Sequence, residues 1–144
     1  MSSRLLYILF LMMLFSCKKD KIEYDINPKI EFISITPDPV VEYQPLLITF
    51  KYTDGDGDLG ENNANAKNLF VTDNRIGITY NYRIQQLAPD NETIPITGNL
   101  EAKIENAVIT NGTSTQSVNF SLYVIDRAGH QSNIITTPGV TIRK

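Results

Sequence analysis

The regular alternation of apolar and polar residues is the feature that most restricts how this chain can fold. Segments 46–52, 78–84 and 118–124 alternate in this way, which predicts extended strands with one apolar face each. Four further segments carry a shorter strand pattern: 30–35, 69–71, 94–96 and 134–142. Segment 100–109 also fits a strand, although its first residues fit one or two helical turns as well.

Turn signals separate these segments. Pro37 and Pro39 end the first strand, because proline removes a hydrogen-bond donor from the ladder. Asn111-Gly112 is a hairpin signal, and a further turn is expected at 126–129. About seven or eight short strands separated by turns predict an all-β, antiparallel β-sandwich at residues 29–144, with a closed barrel as the alternative.

The N-terminus has the anatomy of an export signal. Arg4 supplies a positive charge, and the apolar run 5–15 follows it. This run is too short to span a bilayer, which takes about 20 apolar residues. We therefore expect residues 1–16 to be a signal peptide that is removed before Cys17, with the small residue Ser16 preceding the cut.

The sequence Leu14-Phe-Ser-Cys17 resembles the lipobox of bacterial lipoproteins. The resemblance implies a diacylglyceryl group on the thiol of Cys17 and an acyl chain on its released amine, which together hold a protein stably at a membrane. Residues 17–28 are then expected to be the lipidated cysteine and a flexible tether. The alternative is an ordinary secretory signal followed by an incidental cysteine.

The charged stretch 18–21, Lys-Lys-Asp-Lys, bears on which membrane holds the protein. No aspartate follows Cys17 directly, so the stretch does not resemble the inner-membrane retention signal of enteric bacteria, and we expect the outer membrane. The stretch resembles the surface-export signal of Bacteroidetes lipoproteins, but a solvated tether has the same composition. The periplasmic side and the cell surface therefore both stay open.

Composition excludes several classes of protein. Cys17 is the only cysteine, so the fold depends on its apolar core and not on an intramolecular disulfide. The formal net charge is −3 and no basic patch is interleaved with aromatic residues, so no nucleic-acid partner is expected. Tryptophan is absent, which makes a carbohydrate-binding platform less favoured, although the seven tyrosines could serve.

An acidic loop follows the second long strand. Asp54, Asp56, Asp58 and Glu61 lie within eight residues and are separated by glycines that let the chain curl. Like charges at this spacing repel unless a cation or hydrogen bonds compensate them, and hard carboxylate oxygens suit Ca²⁺. The sequence therefore predicts a calcium site here. The alternative is a solvated turn in which aspartate and glycine only satisfy the backbone.

The acidic loop resembles the aspartate-rich loops of EF-hands and thrombospondin type 3 repeats. It departs from the EF-hand at the sixth and twelfth positions, where Leu59 and Asn65 stand in place of glycine and glutamate. A strand also precedes it where an EF-hand has a helix. A calcium site must therefore draw ligands from elsewhere in the chain.

The stretches YTDGDGDLG (52–60) and VIDRAGHQSN (124–133), with the lipobox, resemble small immunoglobulin-like lipoproteins of Bacteroidetes. The resemblance implies an immunoglobulin-like sandwich in the cell envelope, and it implies no activity. In such sandwiches the loop after the second strand and the last hairpin share one end, which would bring Asp126 to the acidic loop. We expect His130, the only histidine, to be an exposed turn residue.

These observations favour a non-enzymatic envelope protein with a binding or structural module, stabilised by calcium. The alternative is a carbohydrate-binding or hydrolytic surface protein that uses the loop end of the sandwich. Folds of this kind host unrelated functions, so the fold does not choose between them. A concave pocket lined by Tyr80, Tyr82 or Tyr123 would favour ligand binding.

Overall fold

The computed structural model describes residues 25–144, which form strands, turns and loops without a helix. The strands in this part of the chain are β1 (Lys29–Thr36), β2 (Val40–Val41), β3 (Leu46–Asp54), β4 (Leu69–Asp73), β5 (Ile78–Tyr82), β6 (Ile96–Ile104), β7 (Thr115–Val118), β8 (Phe120–Val124), β9 (Ile135–Thr136) and β10 (Val140–Arg143). The predicted all-β fold class is confirmed. The predicted signal peptide and Cys17 lie outside the described residues.

The strands form the three sheets of a β-sandwich. One is the antiparallel sheet β1-β3-β6. The other two are the sheet β5-β4-β8-β9 and the sheet β2-β10-β7. All pairings in the three sheets are antiparallel except that of β2 with β10, which is parallel.

Strand β3 shows why the alternating pattern predicts the core. Its apolar residues Leu46, Ile48 and Phe50 are fully buried. Lys51, between the buried residues Phe50 and Tyr52, is exposed. The strand lies between β1 and β6, so both its edges are paired and only its two faces differ. The same inward face ends on Asp54, which places a carboxylate at the margin of the core.

Two predicted strands are interrupted. Segment 118–124 divides at Asn119 into the end of β7 and the whole of β8, and segment 134–142 divides around Pro138 into β9 and most of β10. Thr137 extends the pairing of β9 with β8 up to the break. Its backbone N–H donates to the carbonyl of Phe120 at 2.9 Å, and its Oγ1 accepts from the N–H of Phe120 at 3.0 Å.

The segments predicted at 94–96 and 100–109 meet in the single strand β6, which takes the end of the first and residues 100–104 of the second. The choice between strand and helix is resolved in favour of a strand for residues 100–104, and residues 105–109 lie beyond the strand. Strand β2 was not predicted, because a strand of two residues carries no periodicity. It nevertheless takes the chain from the sheet of β1 into the sheet of β10, directly after β1.

Two asparagine side chains take the place of strand backbone. The amide of Asn133 donates to the carbonyl of Ile30 and accepts from its N–H, both at 2.9 Å. The amide of Asn68 hydrogen-bonds Ile84 in the same way: it accepts from the N–H of Ile84 at 2.6 Å and donates to its carbonyl at 3.3 Å. Each side chain satisfies both backbone groups of one residue that lies at a sheet margin.

A buried ion pair fixes the turn between β4 and β5. The guanidinium of Arg75 contacts the Asp73 carboxylate twice, with Nη2 to Oδ2 at 2.7 Å and Nε to Oδ1 at 3.0 Å. Its Nη1 donates to the carbonyl of Val108 at 3.1 Å and to Oε1 of Gln116 at 3.0 Å. The side chains of Arg75 and Asp73 are 12% and 2% exposed, so the pair is buried. The bonds to Val108 and Gln116 connect this turn to the segment after β6.

Candidate metal centre

The acidic loop begins inside the fold. Asp54 is the last residue of β3, lies on the inward face of that strand and is fully buried. Its Oδ2 accepts a hydrogen bond from the backbone N–H of Leu59 at 2.8 Å, which closes the loop onto its own start. Its Oδ1 is buried and has no hydrogen-bond partner.

Three carboxylates of the loop converge. Asp54, Asp56 and Asp58 each offer one oxygen, and these three oxygens lie within 4.8 Å of one another. The Oδ1 atoms of Asp56 and Asp58 are, like that of Asp54, buried without a hydrogen-bond partner. Buried polar atoms are nearly always paired, and an unpaired buried carboxylate oxygen is costly, so this group lacks a compensating donor or cation. We call it the Asp54–Asp56–Asp58 cluster.

The electrostatics of the cluster favour a bound positive charge. The pKa of Asp54 is raised to about 6, first by burial and then by the charges of Asp56 and Asp58, while the hydrogen bond from Leu59 opposes the rise. The pKa of Asp58 is raised as well, first by burial. Both directions show that the folded protein disfavours the ionised carboxylates in the absence of a cation.

The turn after β8 lies against the acidic loop, as expected from the sequence. The N–H of Ala128 donates to Asp58 Oδ2 at 2.9 Å, and the N–H of Arg127 donates to the Asp58 carbonyl at 3.3 Å. The guanidinium of Arg127 also donates to the carbonyl of Gly60 at 2.7 Å. These bonds connect the two loops that the sequence separates by about seventy residues.

Asp126 lies in this turn, close enough for its charge to raise the pKa of Asp58. Its carboxylate faces His130: Oδ1 accepts from the N–H of that residue at 2.7 Å, and Oδ2 lies 3.0 Å from its Nδ1. The Asp126 side chain is fully buried, whereas the His130 ring is partly exposed. Asp126 therefore borders the cluster, and its two oxygens are engaged by His130.

Glu61, the fourth predicted ligand of the loop, is not among the three converging carboxylates of residues 25–144. Its N–H donates to the carbonyl of Ile84 at 3.0 Å, which anchors the end of the loop to the segment after β5. Glu61 itself is partly exposed.

The loop is supported by backbone that the sequence does not reveal. Gly57 and Gly60 have φ angles of +78° and +88°, which favour glycine. A Cβ at Gly57 would overlap the carbonyl oxygen of Ile94, and one at Gly60 would overlap that of Gln85. The segment between β5 and β6 therefore packs directly on the acidic loop. The glycines were the only signal of this contact, and they did not identify the partner.

Of the three tyrosines whose pocket would favour ligand binding, two line a groove. Tyr80 and Tyr82 line an open groove together with Ile104 and Glu105. The hydroxyl of Tyr82 donates to the carbonyl of Lys103 at 2.7 Å, and burial raises its pKa to about 12. Tyr123 instead stacks on Phe70, with ring centroids 4.8 Å apart.

Comparison with protein-family models, with curated proteins and with solved structures finds no match for this chain. The resemblance to small Bacteroidetes lipoproteins therefore stays a prediction. Among residues 25–144, no helix is long and apolar enough to cross a membrane.

Proposed function

We propose that this protein is a lipid-anchored lipoprotein of the bacterial outer membrane whose β-sandwich binds Ca²⁺ at the Asp54–Asp56–Asp58 cluster. The module is a binding or structural one, and not an enzyme. The observation that carries the calcium proposal is the set of three buried Oδ1 atoms without hydrogen-bond partners, on carboxylates that converge within 4.8 Å.

The donor set favours calcium over other metals. The cluster contains carboxylate oxygens and neither histidine nor cysteine, which are the ligands that zinc and the softer metals prefer. Three carboxylates supply part of the six to eight oxygens that Ca²⁺ accepts, and its flexible geometry tolerates a loop that is not an EF-hand. Bound Ca²⁺ would compensate the charge that burial disfavours on Asp54.

Calcium is expected to stabilise the fold. Adding Ca²⁺ to chelator-treated protein should raise its free energy of unfolding, by about 2.7 kcal/mol when calcium is a hundredfold above its Kd. The reason is that the folded cluster binds the ion and the unfolded chain does not. Thermal unfolding followed by circular dichroism, with and without Ca²⁺, measures the shift.

Three variants make this test specific. Asp54→Asn, Asp56→Ala and Asp58→Ala each remove one ligand charge, so the calcium-dependent shift should shrink or vanish in each of them. Glu101→Gln removes an exposed carboxylate on β6 and should keep the full shift. An unchanged melting temperature at millimolar calcium contradicts the site, and so does an equal shift in the aspartate variants and in Glu101→Gln.

The lipid anchor is supported by the sequence around Cys17 alone, since that residue lies outside the described part of the chain. Mass spectrometry of the mature N-terminus should find cleavage before Cys17, a diacylglyceryl thioether on its sulfur and an acyl chain on its amine. Cys17→Ser should leave an uncleaved or unanchored protein, because serine does not provide a thiolate. An unmodified thiol in the wild-type protein, or a cut at another bond, would exclude the anchor.

A further inference from the structure

Strand β5 is an open margin of the sandwich. It is the last strand of the sheet β5-β4-β8-β9 and pairs with β4 alone, in an unbroken register from Ile78 to Tyr82. Successive residues of a strand direct their backbone N–H and carbonyl groups to alternate sides, so some of these groups in β5 face away from β4. A margin with such groups is a template on which a further strand can pair.

The other sheet margins in residues 25–144 carry features that discourage a further strand. The register of β1 shifts at Ile33, and β2 and β9 contain two residues each. Strand β6 exposes the charged residues Glu101 and Lys103, and the single apolar residue of the four-residue strand β7 is buried. Irregular register, short strands and exposed charges are the usual means by which a margin resists pairing.

Strand β5 has none of these features. Its sequence, Ile-Thr-Tyr-Asn-Tyr, contains no charged residue and no proline. The side chains of Ile78, Tyr80 and Tyr82 lie on the same face as the buried residues of β4, yet Ile78 is 52% exposed and both tyrosines are partly exposed. An uncharged margin that leaves its core-facing side chains in contact with water favours pairing with another strand.

We propose that β5 pairs with the β5 strand of a second copy of this chain, in an antiparallel arrangement that joins the two four-stranded sheets into one of eight strands. The pair is symmetric about Tyr80, since that alignment matches all five residues of both strands. Ile78 then lies opposite the partner's Tyr82, and Thr79 lies opposite the partner's Asn81. The inference goes beyond the proposed function and depends on neither the ion nor the lipid.

The two copies are complementary on the inner face of the joined sheet. Residues directly opposite each other in an antiparallel pair point to the same face, so Ile78 and the tyrosines meet the same apolar set of the partner. The partner's strand also lies along the open groove that Tyr80 and Tyr82 form with Ile104. No charge of either strand is brought opposite a like charge, because β5 has none.

The outer face of the sheet supports the same pairing. A row of hydroxyl groups crosses this face: Thr136 Oγ1 lies 3.2 Å from Ser121 Oγ on β8, and Thr72 Oγ1 on β4 lies 2.9 Å from Thr79 Oγ1. Ser121 and Thr72 are partners in the ladder, so the row reaches β5. The partner's Asn81, opposite Thr79, continues it with a hydrogen-bonding side chain.

A symmetric pair also limits how many copies associate. The same strand serves as the contact surface on both copies, so each open margin is used once and the assembly closes at two. The remaining margins resist pairing for the reasons given above. We therefore expect a dimer rather than an open chain of domains.

Disulfide trapping tests the register of the pair. In the full-length protein in detergent, Tyr80→Cys places two thiols opposite each other, with Cα atoms about 4.5–5.5 Å apart, which is within the range for a disulfide. Ile78→Cys is the matched control on the same strand, because its two copies are separated by four residues, about 13 Å. Oxidation should give a crosslinked dimer of Tyr80→Cys and leave Ile78→Cys at the level of the parent chain.

The exposures make this control demanding. Ile78 is 52% exposed and Tyr80 is only partly exposed, so random collisions would crosslink position 78 more readily. Equal crosslinking at both positions, or more at position 78, overturns the pair. Crosslinking of the parent chain would come from an unmodified Cys17 thiol, which counts against the lipid anchor, and the two variants are then compared in Cys17→Ser.

The number of chains in each particle is a second readout that does not depend on Tyr80→Cys. Light scattering of the parent protein, with detergent micelles in excess, should find two chains. Ile78→Lys should move the midpoint of dissociation to a protein concentration at least about tenfold higher, which corresponds to about 1.4 kcal/mol. Ile134→Lys changes an isoleucine that is 60% exposed and lies outside the strands, and it should leave the dimer intact.

Three results of this measurement overturn the proposal. The first is a parent protein with one chain in each particle. The second is an equal effect of Ile78→Lys and Ile134→Lys. The third is a dimer that crosslinks at neither position 78 nor position 80, because such a dimer associates through another surface.

Discussion

Replacing Arg75 with methionine is expected to lower the free energy of unfolding by about 3–5 kcal/mol. The change leaves the Asp73 carboxylate charged and buried without the guanidinium that contacts both its oxygens. It also removes the donor that holds Val108 and Gln116 to the β4–β5 turn. Urea denaturation followed by circular dichroism measures the loss.

Two controls identify burial of the lone charge as the cause. The double variant Asp73→Leu with Arg75→Met removes both charges and should recover most of the stability, because an apolar pair needs no desolvation of ions. Lys29→Met breaks the pair of Lys29 with Glu31, whose side chains are well exposed, and should cost at most about 1 kcal/mol. A loss in Arg75→Met no larger than that in Lys29→Met contradicts the prediction.

The second large effect is expected at Gly60. Gly60→Ala puts a Cβ onto the carbonyl of Gln85, with the carbonyl carbon only 2.9 Å away, at a φ of +88°. The positive φ costs about 1–2 kcal/mol for a residue with a side chain, and the overlap adds about 1–3 kcal/mol because backbone must move. Chemical denaturation of the variant measures the sum.

Gly112→Ala separates the two causes. Gly112 has a φ of +76°, and a Cβ there would meet nothing within 4 Å. This variant should therefore carry only the conformational cost. Equal losses in Gly60→Ala and Gly112→Ala would mean that the segment after β5 does not press on the acidic loop.

Much of the sandwich could be predicted because one face of each long strand is buried. In β3 and β4 every inward residue except the last is apolar and the spacing is regular, so period-two alternation locates these strands to within a few residues. The break at Asn119 was missed because the alternation continues through it, whereas the break at Pro138 was missed although proline removes a donor from the ladder. What divides those strands is the change of sheet partner, which a single chain segment does not encode.

The candidate site also has features that the sequence could predict and features that it could not. The convergence of Asp54, Asp56 and Asp58 could be predicted, because alternate residues of a short glycine-rich loop are close whatever the rest of the fold does. The engagement of Asp126 by His130 could not, since a carboxylate and a nearby ring have several possible partners until the turn is built. The packing of Gln85 and Ile94 on the acidic loop could not be predicted either, because it involves backbone carbonyl oxygens, which every residue has.

The amide of Asn133 has a consequence for the association of two copies of this domain. A strand at the margin of a sheet normally offers free N–H and carbonyl groups, onto which a second molecule can add its own strand. At Ile30 both of these groups are already taken by Asn133. A second copy of the domain therefore finds no template for its own strand at this point of β1.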